Sequence, residues 1–540
     1  MISDRVDAGD ALPLTVPDLL AARVRIHGDK PLLVCDDDVL TYEEADRRSA
    51  QLARGLLAHG LRKGAHVALL MPNGSHFVVS WLAAARIGAV AVPLSTFSTV
   101  PELHDLLRGA DVELLLAIDS YRDREFVAVV TDAVPGLDLA AAQPLFDADF
   151  PALRGVAFTG DLEGAWSVAE LAASGDDTAP EVLAAVERSV RPSDRMVIVH
   201  TSGSTSAPKG VIHQHGPLIR HMNNLNEIRH YDASEVMFSN SPFFWIGGFA
   251  FSLLGTLVAG ATLVCSNARE AAAVLDVIER SGPTLVNGFA VTVAHLPQDP
   301  TFAKRDLSSI RRGNLWPLLP AALAPADPEL RHNMLGMTEA GSVCLLSADE
   351  RDQPESRRGS FGRPAPGFEA AVFDPETGRR CDIGEIGELW LRGPFLMEGY
   401  YGKGRHETFE PDGWYRTGDL FSIDADGFFY FTGRRGDMIK TSGANVSPRE
   451  VEAAILAETG LVAHVVGLPD AVRGERVAAA IRVPDGERGP DIESLRTSLR
   501  SRLSAYKVPQ VVVLLDDNQV PMLSSGKLDS RALKELLARD

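Results

Sequence analysis

Residues 201–210, Thr-Ser-Gly-Ser-Thr-Ser-Ala-Pro-Lys-Gly, form a glycine- and hydroxyl-rich segment with one lysine, a composition suited to holding a polyphosphate. Glycines let backbone N–H groups turn toward an anion, the hydroxyls add short donors, and Lys209 adds a positive charge. The spacing differs from a Walker P-loop, because Pro208 precedes Lys209 and Gly210 follows it. The segment therefore predicts a nucleotide triphosphate site of another type. A plain surface linker is the alternative for this stretch taken alone.

Two further segments place an acidic side chain in a turn with glycine. In residues 335–341, Leu-Gly-Met-Thr-Glu-Ala-Gly, Glu339 can bind Mg²⁺ and Thr338 can donate to a phosphate. A capped turn with a solvated Glu has the same pattern. In residues 415–420, Tyr-Arg-Thr-Gly-Asp-Leu, Asp419 can accept both hydroxyls of a ribose. An Asx-turn is the commoner use of such a residue.

Two lysine-bearing segments lie nearer the C-terminus. Residues 433–443, Gly-Arg-Arg-Gly-Asp-Met-Ile-Lys-Thr-Ser-Gly, are basic and glycine-rich, and a solvated linker is the alternative interpretation. Lys527 stands in a Ser-Ser-Gly-Lys-Leu turn, where most lysines merely face water. Each signal is weak alone, so the prediction of function depends on the five segments occurring together and in order.

Length and composition describe a large globular chain. The 540 residues exceed one ordinary domain, and the 45% apolar and 23% charged residues are typical of soluble globular proteins. The formal charge of −20 and the lack of a Lys/Arg stripe argue against a nucleic-acid partner. An anionic ligand must therefore be held by local donors.

The cysteines, the N-terminus and the hydropathy predict a cytoplasmic protein without a transmembrane segment. Cys35, Cys265, Cys344 and Cys381 lie far apart, which indicates neither a zinc site nor a disulfide framework. The first ten residues lack the basic and apolar regions of a signal peptide. The most apolar stretch, residues 249–265, is short and broken by glycines, which predicts a buried element.

The periodicity predicts a parallel sheet with helical crossovers, followed by a separate small unit. A capping box at residues 41–44 opens a helix, and residues 67–93 alternate strand, helix and strand. Residues 141–191 have weak periodicity and are predicted to be irregular or inserted. In the small unit, residues 447–450, Ser-Pro-Arg-Glu, predict a capped helix start and residues 511–515 a buried strand.

Taken in order, the five segments resemble those of the adenylate-forming enzymes, a superfamily that includes acyl-CoA synthetases, firefly-type luciferases and adenylation domains of peptide synthetases. The resemblance runs from about Thr41 to Leu533. It implies an α/β fold: a large N-terminal α/β region of several subdomains, residues 1–432, a hinge at residues 433–437, and a small mobile C-terminal α+β lid domain, residues 438–540.

The resemblance also implies nucleotide contacts at the positions that match the family's motifs. Thr338 and Glu339 would attend the α-phosphate and Mg²⁺, while Asp419 and Arg434 would bind the ribose. Thr201 would lie at the metal as well as at the phosphates. The residues that would grip the phosphates of ATP are Thr201, Ser202, Gly203, Ser204, Thr205 and Lys209.

Two lid segments would serve the two half-reactions in turn. Lys527 would bridge the carboxylate and the α-phosphate during adenylation, where concentrated positive charge favours attack on an anionic phosphorus. The lid would then rotate and bring Lys440, Thr441 and Gly443 over the acyl-adenylate for attack by a thiol. The implied co-substrates are ATP, with Mg²⁺, and coenzyme A.

The chain departs from the family pattern at four places. Ser206 stands where glycine is typical, which adds a Cβ to a crowded turn. Residues 311–334 lack a clear Gly-Gly-Ala-Pro wall for adenine, and Leu335 stands where an aromatic ring usually stacks on the base. Gly436 occupies the usual hinge position, so the pivot is expected to be looser or displaced onto Asp437. The adenine contacts and the hinge residue thus stay open.

The segment Pro-Phe-Phe-Trp-Ile-Gly-Gly, residues 242–248, is predicted to line the acyl pocket through Trp245, Gly247 and Gly248. Trp245 stands where many relatives have histidine. A core tryptophan packed between Phe243 and Phe249 is the alternative.

These features together predict a free-standing acyl-CoA synthetase that uses a small-molecule carboxylic acid, fatty or otherwise hydrophobic. No aspartate near residues 243–248 is available to pair with a substrate amine, which disfavours an amino acid. An acyl-AMP ligase that serves a carrier protein and a non-catalytic ATP-binding relative are the alternatives. A homodimer is compatible with the resemblance.

Overall fold

The computed structural model of the chain describes residues 11–140, 144–162, 166–201, 208–288, 293–434, 439–484, 489–516, 519–521 and 528–539. A short π-helical segment, Gly247–Leu254, leads directly into the α-helix Gly255–Ala259. The helices of the N-terminal region are α1 (Val16–His27), α2 (Tyr42–Ala58), α3 (Ser75–Arg86), α4 (Val100–Gly109), α5 (Phe126–Ala133), α6 (Val168–Ala173), α7 (Pro180–Glu187), α8 (His215–Arg229), α9 (Gly255–Ala259) and α10 (Ala271–Ser281).

The strands of this region form several sheets. In chain order they are β1 (Pro31–Cys35), β2 (Asp38–Thr41), β3 (His66–Leu70), β4 (Val90–Pro93), β5 (Leu114–Ala117), β6 (Ser120–Tyr121), β7 (Arg124–Glu125), β8 (Gly155–Phe158), β9 (Arg195–Thr201), β10 (Lys209–Gln214), β11 (Val236–Phe238), β12 (Thr262–Cys265), β13 (Leu285–Val286), β14 (Arg312–Gly313), β15 (Leu335–Met337), β16 (Ser342–Leu346), β17 (Arg363–Pro364), β18 (Glu369–Phe373), β19 (Gly387–Arg392), β20 (Gly399–Tyr400), β21 (Tyr415–Ile423) and β22 (Phe429–Arg434).

A seven-stranded sheet carries the ends of the phosphate segment. Its order is β20-β10-β9-β4-β3-β5-β8, with β8, β5, β3, β4 and β9 parallel and with β10 and β20 each antiparallel to its neighbour. Side chains along a strand alternate between faces, so Val67 and Leu69 enter one apolar cluster while Ala68 and Leu70 enter another. The sheet is therefore covered on both faces, as is usual for parallel strands.

A second, six-stranded sheet supports the predicted acyl segment. Its order is β14-β13-β11-β12-β1-β2, and β2 pairs antiparallel at one edge. The chain leaves β11 at Phe238 and enters residues 241–243, which Asn73 holds from both sides. The Asn73 amide donates to the carbonyl of Ser241 at 3.0 Å and accepts from the backbone N–H of Phe243 at 2.8 Å.

Two antiparallel sheets carry the acidic turns. The three-stranded sheet β15-β16-β17 precedes and follows the turn with Thr338 and Glu339, and the four-stranded sheet β18-β19-β21-β22 carries Asp419. These sheets pack on the same apolar core as the seven-stranded sheet, through residues such as Leu345 and Leu389.

The C-terminal part folds around its own sheet. Helices α11 and α12 pack on one face, where Ile455 and Leu499 meet Ala479, and α13 packs on the other face through Leu533. The structure thus confirms a mixed α/β fold with a large N-terminal domain and a small C-terminal one. The elements are β23 (Ile439–Thr441), β24 (Ala444–Val446), α11 (Pro448–Thr459), β25 (Ala463–Asp470), β26 (Gly474–Val483), α12 (Ile492–Arg502), β27 (Val511–Asp516) and α13 (Ser530–Leu537).

Most local predictions are confirmed. Thr41 caps α2 by accepting from the N–H of Glu44, residues 67–93 form β3, α3 and β4, and residues 511–515 lie in β27. The stretch 249–265 is buried within the described core, and no helix among the described residues is long and apolar enough to span a membrane. The hinge at 433–437 stays a prediction.

Two predictions are wrong. Residues 141–191 are not simply irregular, because their described part contains β8, α6 and α7, and β8 completes the seven-stranded sheet. At residues 447–450 the predicted helix does begin, at Pro448, but its capping box does not form: Ser447 makes no capping hydrogen bond, and the Glu450 carboxylate instead accepts from Lys507 at 2.8 Å. The local pattern predicted that Glu450 would cap the N-terminus of α11, but its carboxylate pairs with Lys507, which is distant in the sequence.

Burial lowers the pKa of four histidines in β9, β10 and α8. The values fall to about 4 for His200, His213 and His215, and to about 3 for His221. A histidine in the unfolded chain has a pKa of about 6.5. Below that pH these histidines bind protons in the unfolded chain but stay neutral in the folded one. These groups therefore support stability above pH 6.5, and that support is lost as the pH falls toward 4.

We expect His221→Phe to flatten the decline of the free energy of unfolding between about pH 6.5 and pH 4, because the ring stacks on Phe395 and the substitution removes a protonation site. Urea unfolding at stepped pH measures this. His295→Phe, at an exposed position, is the control and should keep the wild-type pH dependence. Equal slopes for wild type and His221→Phe would contradict the assignment.

Candidate active site

A cleft of about 1160 Å³ lies where the N-terminal region meets the C-terminal domain. Arg434 is described in its backbone alone. Among the predicted functional residues, those that line the cleft are Thr201, Lys209, Trp245, Gly247, Thr338, Glu339, Asp419, Lys440 and Gly443. Those that lie outside the described residues are Ser202, Gly203, Ser204, Thr205, Ser206, Gly436, Asp437 and Lys527.

The phosphate segment closes a hairpin between β9 and β10. Thr201 pairs with Lys209 across the ladder, so both ends of the segment are fixed at one edge of the cleft. The ammonium of Lys209 lies 5.2 Å from the ring centroid of Tyr400, close enough for a cation–π interaction. Partial burial, with Lys403 nearby, lowers the pKa of Lys209, while Glu339 acts in the opposite direction. The lysine is thus held as a positioned donor near an acidic group.

Thr338 and Glu339 stand in a tight turn that three other elements hold in place. Gly341 ends this turn with φ 71°, and a Cβ there would approach the Leu218 side chain to 2.7 Å. The Thr338 carbonyl is 2.7 Å from Nε2 of His213 in β10. The pKa of His213, lowered to about 4, keeps the imidazole neutral at physiological pH, with Nε2–H as the donor in this contact.

The Glu339 carboxylate accepts a hydrogen bond of 2.8 Å from the Tyr400 hydroxyl, which also lies 2.9 Å from the hydroxyl of Tyr415. Burial, together with Glu339, raises the pKa of Tyr415, so this phenol stays protonated. Tyr400 therefore contacts both the cation and the carboxylate of the site: its ring lies beside the Lys209 ammonium, and its hydroxyl donates to Glu339.

The site fits Mg²⁺ as an ion shared with phosphates. Among the described residues no cluster of three or more His, Cys, Asp or Glu side chains could hold a metal by itself. Mg²⁺ usually takes one or two carboxylates and completes its shell with water and substrate phosphates. A single carboxylate at Glu339, beside the fixed ends of the phosphate segment, meets that requirement.

Asp419 lies in β21 opposite Arg434 of β22, and it is 4% exposed. Gly418 before it adopts φ 75°, a conformation that glycine tolerates best. The N–H of Gly418 donates to Glu388 at 3.0 Å, and the N–H of Asp419 lies 3.0 Å from the Thr417 hydroxyl oxygen that accepts its hydrogen bond. These bonds fix the backbone that presents the carboxylate to the cleft.

The C-terminal domain presents the β23–β24 hairpin to the cleft. Lys440 places its ammonium 4.7 Å from the ring centroid of Phe431. The backbone N–H of Lys440 donates to the Glu475 carboxylate at 2.6 Å. Ser442 and Gly443 have φ of 51° and 80°, which makes the turn tight. Thr441 is fully buried, so it supports the hairpin rather than lining the cleft.

Trp245 lines the cleft as part of an aromatic group. Its ring lies 5.5 Å from Phe244 and 6.2 Å from Phe97, measured between centroids. The alternative of a core tryptophan between Phe243 and Phe249 is wrong, because Phe249 packs on Trp81 and Phe243 on Phe77.

The two glycines of the acyl segment differ. A Cβ on Gly247 would meet nothing within 4 Å, whereas a Cβ on Gly248 would lie 2.1 Å from the Pro242 carbonyl oxygen. Gly248 is buried and absent from the cleft lining. Gly247 therefore borders open space, and Gly248 permits close backbone packing.

Residues that the sequence analysis missed hold the site together. Asn314 clamps Gly288, accepting from its N–H at 3.0 Å and donating to its carbonyl at 2.8 Å, within the region that lacks the usual adenine wall. Tyr400 carried no motif that would have revealed it. The unusual His-Gln-His of residues 213–215 was a signal, but it pointed equally to metal binding.

Comparisons with known proteins identify the family of the chain. The profile of the family described as "AMP-binding enzyme" matches residues 20–401, and that of the "AMP-binding enzyme C-terminal domain" matches residues 450–527. A feruloyl-CoA synthase of Amycolatopsis sp is 33% identical, over 91% of this chain and 92% of its own. The mitochondrial medium-chain acyl-CoA ligase ACSF2 of Mus musculus is 29% identical, over 96% of this chain and 87% of its own.

Among solved structures, the amide bond synthetase McbA of Marinactinospora thermotolerans superposes with a TM-score of 0.76 at 25% identity, covering 96% of this chain and 99% of its own. The chain belongs to the AMP-binding enzyme family, in the acyl-CoA synthetase branch of the adenylate-forming enzymes. It is an ATP-dependent, AMP-forming acid–CoA ligase.

Tyr400→Phe removes the hydroxyl that donates to Glu339 but keeps the ring beside Lys209. We expect the adenylation rate to fall roughly 10- to 100-fold, since a hydrogen bond to a charged group contributes about 1.5–3 kcal/mol. Acid-dependent pyrophosphate exchange measures this step. Tyr401→Phe is the matched control, because its hydroxyl binds Asp111 at the surface. Equal rates for the two variants would refute the role of Tyr400.

Gly248→Ala should lower stability by about 1–3 kcal/mol, because the added methyl overlaps the Pro242 carbonyl. Gly247→Ala should keep the wild-type unfolding midpoint and reduce kcat/KM for bulky acids more than for small ones. Thermal unfolding and rates with a graded series of acids test both statements. Loss of stability in Gly247→Ala, or none in Gly248→Ala, would show that the packing is misassigned.

Proposed function

We propose that this enzyme activates a hydrophobic carboxylic acid, fatty or similar, in two half-reactions within the one cleft. In the first, a carboxylate oxygen of the acid attacks the α-phosphorus of ATP, giving acyl-AMP and pyrophosphate. In the second, the thiol of CoA attacks the acyl carbon, AMP leaves with the bonding electron pair, and the thiol proton passes to solvent. The observation that carries the proposal is the meeting of Lys209, Glu339, Asp419 and Trp245 at one cleft.

The aromatic lining supports the class of acid. Phe244, Trp245, Phe251 and Phe361 border the cleft, and burial of an apolar acyl chain against such side chains is favourable. The names of the relatives, a feruloyl-CoA synthase and a medium-chain acyl-CoA ligase, are in line with an aromatic or aliphatic hydrophobic acid. They support the class and leave the individual acid to experiment.

The proposed roles come from the family resemblance, and the positions of Lys209, Glu339 and Asp419 at the cleft support them. Lys209 and the segment at Thr201, Ser202, Gly203, Ser204 and Thr205 bind the phosphates, Glu339 and Thr201 meet Mg²⁺, and Thr338 contacts the α-phosphate. Mg²⁺, when bound, offsets the negative charge of the phosphates. Asp419 and Arg434 bind the ribose. Lys527 serves adenylation, and Lys440 and Gly443 serve the thioester step.

The acceptor is proposed to be CoA, although the fold alone allows other acceptors. McbA, which shares this fold, is an amide bond synthetase. The small C-terminal domain from residue 438, a cytoplasmic location and a homodimer belong to the same proposal.

Release of AMP over a panel of aliphatic and aromatic acids, with and without CoA, tests the function. We expect acid-dependent pyrophosphate release without CoA, and AMP with acyl-CoA when CoA is added. Lys527→Ala should slow adenylation by about 10²-fold or more, the usual effect of removing one transition-state charge. It should slow thioester formation from supplied acyl-AMP far less.

Lys534→Ala, a change of a nearby lysine in α13, is the matched control and should leave both steps intact. Equal losses in the two steps for Lys527→Ala would refute the role of Lys527. Acyl-AMP formation with every acid but no acyl-CoA would instead indicate a carrier-protein acceptor.

A further inference from the structure

Lys507 is a buried cation shared by two carboxylates from different domains. It is 6% exposed, and its ammonium lies 2.7 Å from Glu102 of α4 and 2.8 Å from Glu450 of α11. Glu102 belongs to the N-terminal region, whereas Glu450 and Lys507 belong to the C-terminal domain. One of the two ion pairs therefore crosses between domains and the other stays within one.

The pKa shifts of Glu102 and Lys507 favour the charged form of both groups. Burial alone would raise the pKa of Glu102, but Lys507 outweighs burial and lowers it. Burial alone would lower the pKa of Lys507, but Tyr506 and the two carboxylates raise it. Burial raises the pKa of Glu450, the weaker of the two acids. Glu102 is thus the firmly ionised partner of Lys507 on the other side of the interface.

Glu102 is also fixed at the start of α4. It is the third residue of a capping box with Thr99, in which the Thr99 N–H donates to the carboxylate at 2.9 Å. The same oxygen accepts from the Ser504 hydroxyl at 2.7 Å, and the Thr99 hydroxyl donates to the carbonyl of Arg502 at 3.3 Å. The C-terminal domain therefore docks on the rigid N-terminus of a helix through several hydrogen bonds.

The docking point adjoins the acyl pocket. The loop before α4 carries Phe97, whose ring packs edge-on against Phe244 at 5.5 Å and lies near Trp245. Arg124 pins this loop by donating to the carbonyls of Thr96 at 2.7 Å and Ser98 at 2.8 Å. A domain held at Glu102 is thus held beside the aromatic group of the pocket.

The same domain arrangement places Lys440 and Gly443 at the cleft. Rotation of the C-terminal domain away from α4 would separate Lys507 from Glu102 but would leave it with Glu450. The contact to Glu102 therefore exists in one arrangement only, which is the condition for biasing an equilibrium between two.

We propose that Glu102, Lys507 and Ser504 form a latch that holds the C-terminal domain in the thioester-forming arrangement, so that these positioning residues act on the second half-reaction and not on the first. The proposal rests on the two-step function proposed above. Buried ion pairs add little net stability, and the Glu102–Lys507 pair forms in one arrangement only, so its effect falls on the choice between arrangements.

The test measures the half-reactions separately in the full-length enzyme. Pyrophosphate exchange reports adenylation, and the conversion of supplied acyl-AMP and CoA to acyl-CoA reports the thioester step. Glu102→Gln keeps an oxygen for the Thr99 N–H but removes the charge. We expect the thioester step to slow about tenfold or more, as for loss of a charge-assisted bond, with adenylation within about twofold of wild type.

Asp105→Asn is the matched control, since it neutralises an exposed acid on the same helix and should change neither step. Ser504→Ala removes one hydrogen bond to Glu102 but keeps the Glu102–Lys507 ion pair, and should give a smaller selective loss. In Glu102→Gln/Lys507→Met the thioester step should be no slower than in the worse single variant, because both substitutions break the same contact between the domains, the Glu102–Lys507 pair.

Three outcomes would overturn the latch: equal losses in both steps, no loss in the thioester step, or additive losses in the double variant. Thermal unfolding of each variant identifies general destabilisation, which would slow both steps together. Failure of the proposed function has a different signature, because wild type itself would then show no pyrophosphate exchange with any acid.

Discussion

The antiparallel pairing of β10 with β20 is the constraint on which the rest of the site depends. Tyr401 N–H donates to the Gly210 carbonyl at 2.7 Å, and Glu398 N–H donates to the Ile212 carbonyl at 2.9 Å. This register puts Tyr400 next to Lys209 and within reach of Glu339. The two strands are far apart in the chain, yet a few backbone bonds hold Tyr400 where it contacts both Lys209 and Glu339.

That constraint matters because the chain as a whole is acidic. With a formal charge of −20, its overall field repels a nucleotide, so affinity must come from local donors. Lys209 and Lys440 reach the cleft from opposite domains, each lying near an aromatic ring. The ring of Tyr400 orients the Lys209 ammonium through a cation–π contact, which keeps a positive charge at the end of the phosphate segment.

The sequence predicted what is encoded locally. Turns such as the one at Gly418 and Asp419 depend on adjacent residues, as does the cap at Thr41, and the family resemblance supplied their order. Tyr400 could not be found this way, because its importance arises from strand pairing with β10. Trp245 was placed in the right segment, but its true neighbour Phe97 comes from a distant loop.

The wrong prediction at residues 447–450 shows the limit most clearly. Ser-Pro-Arg-Glu has every local property of a capping box, and an isolated helix would use Glu450 for its own N-terminus. In the folded chain Lys507 takes that carboxylate, since a buried ammonium without a partner costs more than an unmade cap. Tertiary electrostatics thus overrides a local signal at a position where two domains meet.

The same exchange explains how a polar interface can separate at small cost. An apolar contact between the domains would expose its whole area to water when they part, with a free-energy cost that rises with that area. In the proposed rotation Lys507 would keep Glu450 as a partner, so parting would remove one of its two carboxylates and leave the other. Glu102 likewise keeps its bond from Thr99 within α4. Because neither charge would be stranded, the two arrangements proposed for the half-reactions can lie close in free energy.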